Sequence, residues 1–266
     1  MKQVNLERGP LAYEEAGAGP ALLLIHGFPL DHTLWKEQIP VFAQTHRVIA
    51  PDLRGFGSSP LPEPPPQRYS MADHAQDLVQ LLDALTLSAP VNVCGLSMGG
   101  YIALAMWKQY ADRIARLLLV HTRAIADSAS VRAVRHEQAH QVQSQGTRVI
   151  AEGIRPRLFH PETAQQQPEV VRFIDEMMDR AQPAGVTAAL LGMAERPDMT
   201  ADLPNIRVPT LVLVGEADAI SAPAEMKSIA DAIPGSRFVQ IAGAGHLSPV
   251  EQPAAFNAAL AEFLAA

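Results

Sequence analysis

The chain has 266 residues, 48% of them hydrophobic, and a formal net charge of −7. That length suits one large α/β domain with room for an inserted subdomain, and the acidic balance excludes the basic face that nucleic-acid binding needs. The single cysteine, Cys94, excludes a disulfide framework within the chain and reads as a small buried apolar residue.

Met1-Lys2-Gln3-Val4-Asn5-Leu6 lacks the basic start and apolar centre of a secretory signal. Apolar runs such as Ala21 to Ile25 fall well short of the ~20 residues that cross a bilayer. The expectation is a cytoplasmic protein with no membrane partner. Val4-Asn5-Leu6 and Leu11-Ala12-Tyr13 read as opening strands joined at Gly9-Pro10. Ala21 to Ile25, Arg47 to Ala50, Val91 to Cys94, Arg116 to Val120 and Thr210 to Val214 are continuous apolar runs. Strands covered on both faces require that pattern, in place of alternation. Helical periods lie between them, as in Met71 to Leu85 with Leu78, Leu81, Leu82 and Leu85. Strand and helix in succession predict a parallel sheet with right-handed crossovers. The rhythm breaks over about residues 122–197, which are Gln-, Arg- and Ala-rich and helical in period. Sheet strands resume afterwards, so this stretch is expected to be a helical cap inserted into a core of residues 1–121 and 198–266.

Gly95-Leu96-Ser97-Met98-Gly99-Gly100 follows a predicted strand and precedes a helix-forming run from Tyr101. A serine at such a turn sits in strained backbone beside a helix N-terminus, and Gly95 and Gly99 leave out the Cβ atoms that would collide. A serine hydroxyl is a weak nucleophile that needs a general base, an acid to orient that base, and donors for the developing oxyanion. The base expected is His246, in Gly245-His246-Leu247, and the acid is Asp218, in Gly215-Glu216-Ala217-Asp218, with Glu216 as its rival. The oxyanion donors expected are the amides of Phe28 and Met98, with His26 and Gly27 shaping the first loop. All these residues follow predicted strands, where open α/β sheets build their sites.

These segments, with Asp52-Leu53-Arg54-Gly55-Phe56-Gly57-Ser58-Ser59 and His26-Gly27-Phe28-Pro29, resemble the α/β-hydrolase superfamily over essentially the whole chain, in its carboxylesterase and enol-lactonase branch. The resemblance implies a mostly parallel eight-stranded sheet with helices on both faces, a helical cap, a Ser97-His246-Asp218 triad and no cofactor. It implies a serine hydrolase of small to medium, rather apolar carboxylic esters, closest to bacterial carboxylesterases. Lactonase, perhydrolase and C–C hydrolase chemistry use the same machinery, and a non-catalytic ligand-binding protein can share the fold. Dehalogenases and epoxide hydrolases require a carboxylate nucleophile in place of Ser97. One departure is His121, where relatives often carry an aspartate, and a differing pocket residue is expected there, bearing on substrate preference and not on the triad. Leu158, Phe159, Ile174, Met177, Met178, Leu190 and Met193 are candidates for an apolar substrate pocket or for packing among cap helices. His136-Glu137-Gln138-Ala139-His140 fits a zinc-protease pattern, but its polar flanks argue for a cap helix, so no metal is expected. The partner expected is a small-molecule ester or lactone.

Overall fold

The computed structural model describes residues 1–265. Strands β1 (Lys2–Leu6), β2 (Gly9–Ala16), β3 (Ala21–Ile25), β4 (Arg47–Pro51), β5 (Val91–Leu96), β6 (Ile114–Val120), β7 (Thr210–Gly215) and β8 (Arg237–Ile241) form one eight-stranded sheet. Its order is β1-β2-β4-β3-β5-β6-β7-β8. Only β1–β2 and β2–β4 are antiparallel; every later pairing is parallel.

Side-chain alternation along the strands builds two cores. Leu23, Ile25, Val93, Leu117, Leu119 and Val212 face one side. There they meet α2 (Met71–Ala84), α3 (Met98–Tyr110) and α9 (Pro223–Ala232). Leu22, Leu24, Cys94, Leu118, Leu211 and Leu213 face the other. That side is covered by α1 (Ile39–Phe42) and α11 (Pro253–Ala265) through Phe42, Phe256 and Leu260. The continuous apolar strands are thereby explained, since neither face meets water. Helix α2 starts at a capping box: Asp73 N–H donates to Ser70 Oγ at 3.1 Å, and Ser70 N–H donates to the Asp73 carboxylate at 2.9 Å. Such a box satisfies amides that have no carbonyl partner in the first turn.

Between β6 and β7 the chain leaves the sheet for α4 (Ala129–Gln145), α5 (Arg148–Ile154), α6 (Pro161–Gln166), α7 (Pro168–Arg180) and α8 (Pro183–Ala194). It then returns directly beside the strand it left, with Leu117 paired to Thr210. A short helix α10 (Ser248–Glu251) precedes α11. No helix among the described residues is long and apolar enough to cross a membrane.

Candidate active site

Ser97 lies between β5 and α3 at φ 55° and ψ −113°, a conformation side chains rarely adopt. Close approach forces this shape. A Cβ on Gly95 would lie 2.2 Å from the Gly99 carbonyl oxygen, and one on Gly99 would lie 2.3 Å from that of Ile25. Ser97 N–H donates to Val120 O at 2.8 Å, and the Thr122 hydroxyl donates to Ser97 O at 2.8 Å, so the neighbouring strand end pins the turn. Met98 opens α3, and its amide therefore belongs to the first turn, where no carbonyl of the helix can accept it.

The His26–Gly27 loop follows β3 and abuts this turn, since a Cβ on Gly27 would fall 3.3 Å from that of Ser97. His26 is fully buried. Its Nδ1 donates to Gly27 O at 2.9 Å and its Nε2 accepts from Leu53 N–H at 2.9 Å. Burial lowers its pKa, the neutral state this donor-and-acceptor pattern requires. His26 thus braces the loop, and Phe28 beside it lines the cavity described below.

Asp218 and His246 follow β7 and β8. Their loops touch: a Cβ on Gly215 would lie 2.1 Å from the Gly245 carbonyl oxygen. Asp218 Oδ2 accepts from His246 Nδ1 at 2.9 Å, with Oδ1 at 3.0 Å, and both side chains are buried. Oδ1 also accepts the amides of Ile220 at 2.8 Å and Ser221 at 2.9 Å. Burial alone would raise the Asp218 pKa, but the His246 and His121 imidazoles hold it well below the usual carboxylate range. The rival acid, Glu216, is exposed and instead accepts from Gly243 N–H at 2.7 Å.

Ser97 and His246 share a cavity of about 400 Å³. Its apolar wall includes Phe28, Ile150, Ile154, Leu158, Leu190 and Met193. Of the pocket residues expected from sequence, Leu158, Leu190 and Met193 reach it. Phe159, Ile174, Met177 and Met178 do not; they are buried in the apolar cluster of the inserted helices and the sheet. The stripe of α7 at Ile174, Met177 and Met178 faces that packing and not the cavity. His121 is also off the cavity. It is fully buried behind Asp218, donating from Nδ1 to Oδ2 at 2.8 Å, because its strand end lies between those carrying Ser97 and Asp218. His136 and His140 are exposed on α4 and do not line this cavity.

Sequence reasoning missed three arginines on the cavity wall, Arg123, Arg135 and Arg157, and among the described residues no acidic side chain lines it. Arg123 pairs with Glu225 at 2.8 Å. Arg135 and the buried Arg196 share one carboxylate, Asp127, at 2.5 and 2.7 Å. Arg157 donates to Ala219 O at 3.1 Å and, among the described residues, pairs with no carboxylate. It also missed Glu251, whose carboxylate accepts from Gly245 N–H at 2.9 Å, Leu247 N–H at 3.0 Å and, from the inserted segment, His160 N–H at 2.7 Å. The carboxylate thus holds His246 from both sides, while His246 N–H donates to Leu158 O at 2.7 Å. Glu251→Ala would strand these buried amides, at about 3 kcal/mol in total. Denaturant unfolding is expected to show that loss, with lower activity in the protein that still folds. Unchanged stability would count against the clamp.

A family model described as alpha/beta hydrolase fold matches residues 20–253. The chain belongs to this family. A solved esterase from Thermogutta terrifontis, with malate bound, is 45% identical at a TM-score of 0.95, over 99% of this chain and 98% of that one. The enol-lactonase from Burkholderia xenovorans LB400 is 28% identical at a TM-score of 0.91, with both chains covered in full. In sequence, 3-oxoadipate enol-lactonase 2 of Acinetobacter baylyi is 29% identical over 241 residues, 91% of this chain and 87% of that protein. This member is a hydrolase of the enol-lactonase and esterase branch.

Proposed function

We propose that the chain is a serine-dependent carboxylic-ester hydrolase. The observation that carries this reading is one cavity shared by a serine on a strained strand-to-helix turn and an imidazole whose Nδ1–H is held by a buried carboxylate. His246 accepts the Ser97 proton at Nε2 as the hydroxyl attacks the acyl carbon. Asp218 fixes the tautomer that leaves Nε2 free. The amides of Phe28 and Met98 hold the oxyanion, each supplying ~3 kcal/mol of transition-state stabilisation. Water activated by His246 then releases the acid from the acyl-enzyme. Residues 122–197 act as a cap over a core of residues 1–121 and 198–266, with Leu158, Leu190 and Met193 forming part of an apolar acyl site. No cofactor enters these steps. A fluorophosphonate probe is expected to label Ser97, read by peptide mass spectrometry, in a protein that turns over p-nitrophenyl butyrate. Absence of both adduct and turnover refutes the reading.

A second reading concerns the substrate's charge and is favoured by the arginines. Two cations share Asp127 and Arg157 has no carboxylate partner among the described residues, so the cavity wall carries excess positive charge. An ester or lactone bearing a carboxylate at its far end complements that wall, as a plain apolar ester does not. Monomethyl adipate is then expected to exceed methyl hexanoate about tenfold in kcat/KM, with the advantage shrinking in high salt. Equal values would leave the apolar reading alone.

A further inference from the structure

His121 is placed with a care that packing does not explain. It is a non-glycine residue at φ 49°, a conformation that costs about 1–3 kcal/mol and persists only where its surroundings impose it. Its N–H donates to Leu213 O at 2.9 Å, and its carbonyl accepts from the Ser221 hydroxyl at 3.0 Å. Both ring nitrogens are engaged, Nδ1 with Asp218 Oδ2 at 2.8 Å and Nε2 with Ser248 Oγ at 2.7 Å. The ring is fully buried and meets that of His246 edge-on, with centroids 5.3 Å apart, and the hydrogen bond it makes within the triad is to Asp218.

An ionised carboxylate offers acceptors alone, so the proton of each imidazole facing Asp218 is on Nδ1. Burial favours neutral His121, whose Nε2 then accepts the Ser248 hydroxyl. Asp218 Oδ2 therefore receives two N–H donors, and Oδ1 receives the two amides of Ile220 and Ser221. Each added donor spreads the carboxylate charge and leaves less of it to stabilise an imidazolium.

We propose that His121 is a positioning residue that shares the Asp218 carboxylate with His246, so that Asp218 holds the His246 Nδ1–H in place while less of its charge is left to stabilise the imidazolium formed when His246 takes the Ser97 proton. The proposal rests on the roles given above to Ser97 and His246. The other charged groups around His246 are Glu251 beneath its loop, Glu216 beside it, His160 on the inserted segment, and Arg123 and Arg157 across the cavity. A substitution at 121 leaves all of them in place.

His121→Ala removes the extra donor. His121→Asn keeps an N–H near the position of Nδ1 and tolerates positive φ. Two readouts separate this role from a purely structural one: the acid limb of kcat/KM for a neutral ester, and the titration of His246 followed by 13Cε1 NMR, which needs no turnover. In the alanine variant both midpoints are expected to move up by roughly 0.5–1 pH unit, and asparagine should restore most of the shift. If the alanine protein fails to fold, His121→Phe, which fills the site with a phenyl ring and removes both nitrogens, carries the same comparison. A folded Ala or Phe variant with an unmoved His246 midpoint overturns the proposal. A midpoint that moves in a protein hydrolysing no ester would uphold the shared carboxylate and refute the hydrolase reading instead.

Discussion

Ser97→Gly is expected to melt at a higher temperature than the parent protein while losing ester turnover by about four orders of magnitude or more. The two effects share one cause. At φ 55° and ψ −113° the Ser97 backbone occupies a region that only glycine enters without strain. Glycine also has more freedom to lose on folding, which reduces the net gain to about 1 kcal/mol, worth roughly 2–4 °C in a chain of this size. Ser97→Ala keeps the Cβ and hence the strain, so it should lose the same activity with no gain in stability. Calorimetry beside a p-nitrophenyl butyrate assay reads both. Turnover by the alanine protein within a hundredfold of the parent would remove Ser97 from the mechanism. A lower melting temperature for the glycine protein would mean that the turn stores no strain.

The sheet was legible because its strands are unusual segments. Ala21 to Ile25 is apolar throughout and wholly buried, as a strand covered on both faces must be. The strand-end residues were legible for a related reason: Ser97, Asp218 and His246 sit among glycines that mark close backbone approach, and the structure finds those approaches at Gly95, Gly99, Gly215 and Gly245. The inserted helices were legible as helices but not as a surface. Period 3.6 shows that Ile174, Met177 and Met178 form a stripe, but it does not show which neighbour the stripe meets. Ile150 and Ile154 line the cavity in their place, alongside arginines whose charge gave no sign of facing inward. Glu251 and Ser248 were hidden for another reason. Their partners are main-chain amides and an imidazole distant in sequence, set by loop geometry that no periodicity encodes. His121 is placed by the topology of the sheet. Its strand is flanked in the sheet by those of Ser97 and Asp218, so a side chain at its end reaches the carboxylate before it reaches the cavity.

Asp218→Asn tests that arrangement from the carboxylate side and is expected to lower kcat by about 10⁴-fold with little loss of fold. The amides of Ile220 and Ser221 both donate to Oδ1, so the new carbonyl oxygen takes that position. The new NH2 group then takes the place of Oδ2, facing His121 Nδ1 at 2.8 Å and His246 Nδ1 at 2.9 Å. Donor would meet donor at both contacts, and each imidazole relieves this by moving its proton to Nε2. For His121 the change is tolerable, because its Nε2 faces a serine hydroxyl that accepts as readily as it donates. For His246 it is not: an Nε2 that carries a proton cannot accept one from Ser97. Only the 3.0 Å contact to Oδ1 works against the switch, and that oxygen already serves two amides. Stopped-flow kinetics and the ¹⁵N shifts of both imidazoles check the two halves separately. Activity within tenfold of the parent, or a His246 proton still on Nδ1, would show that Asp218 does not set the tautomer.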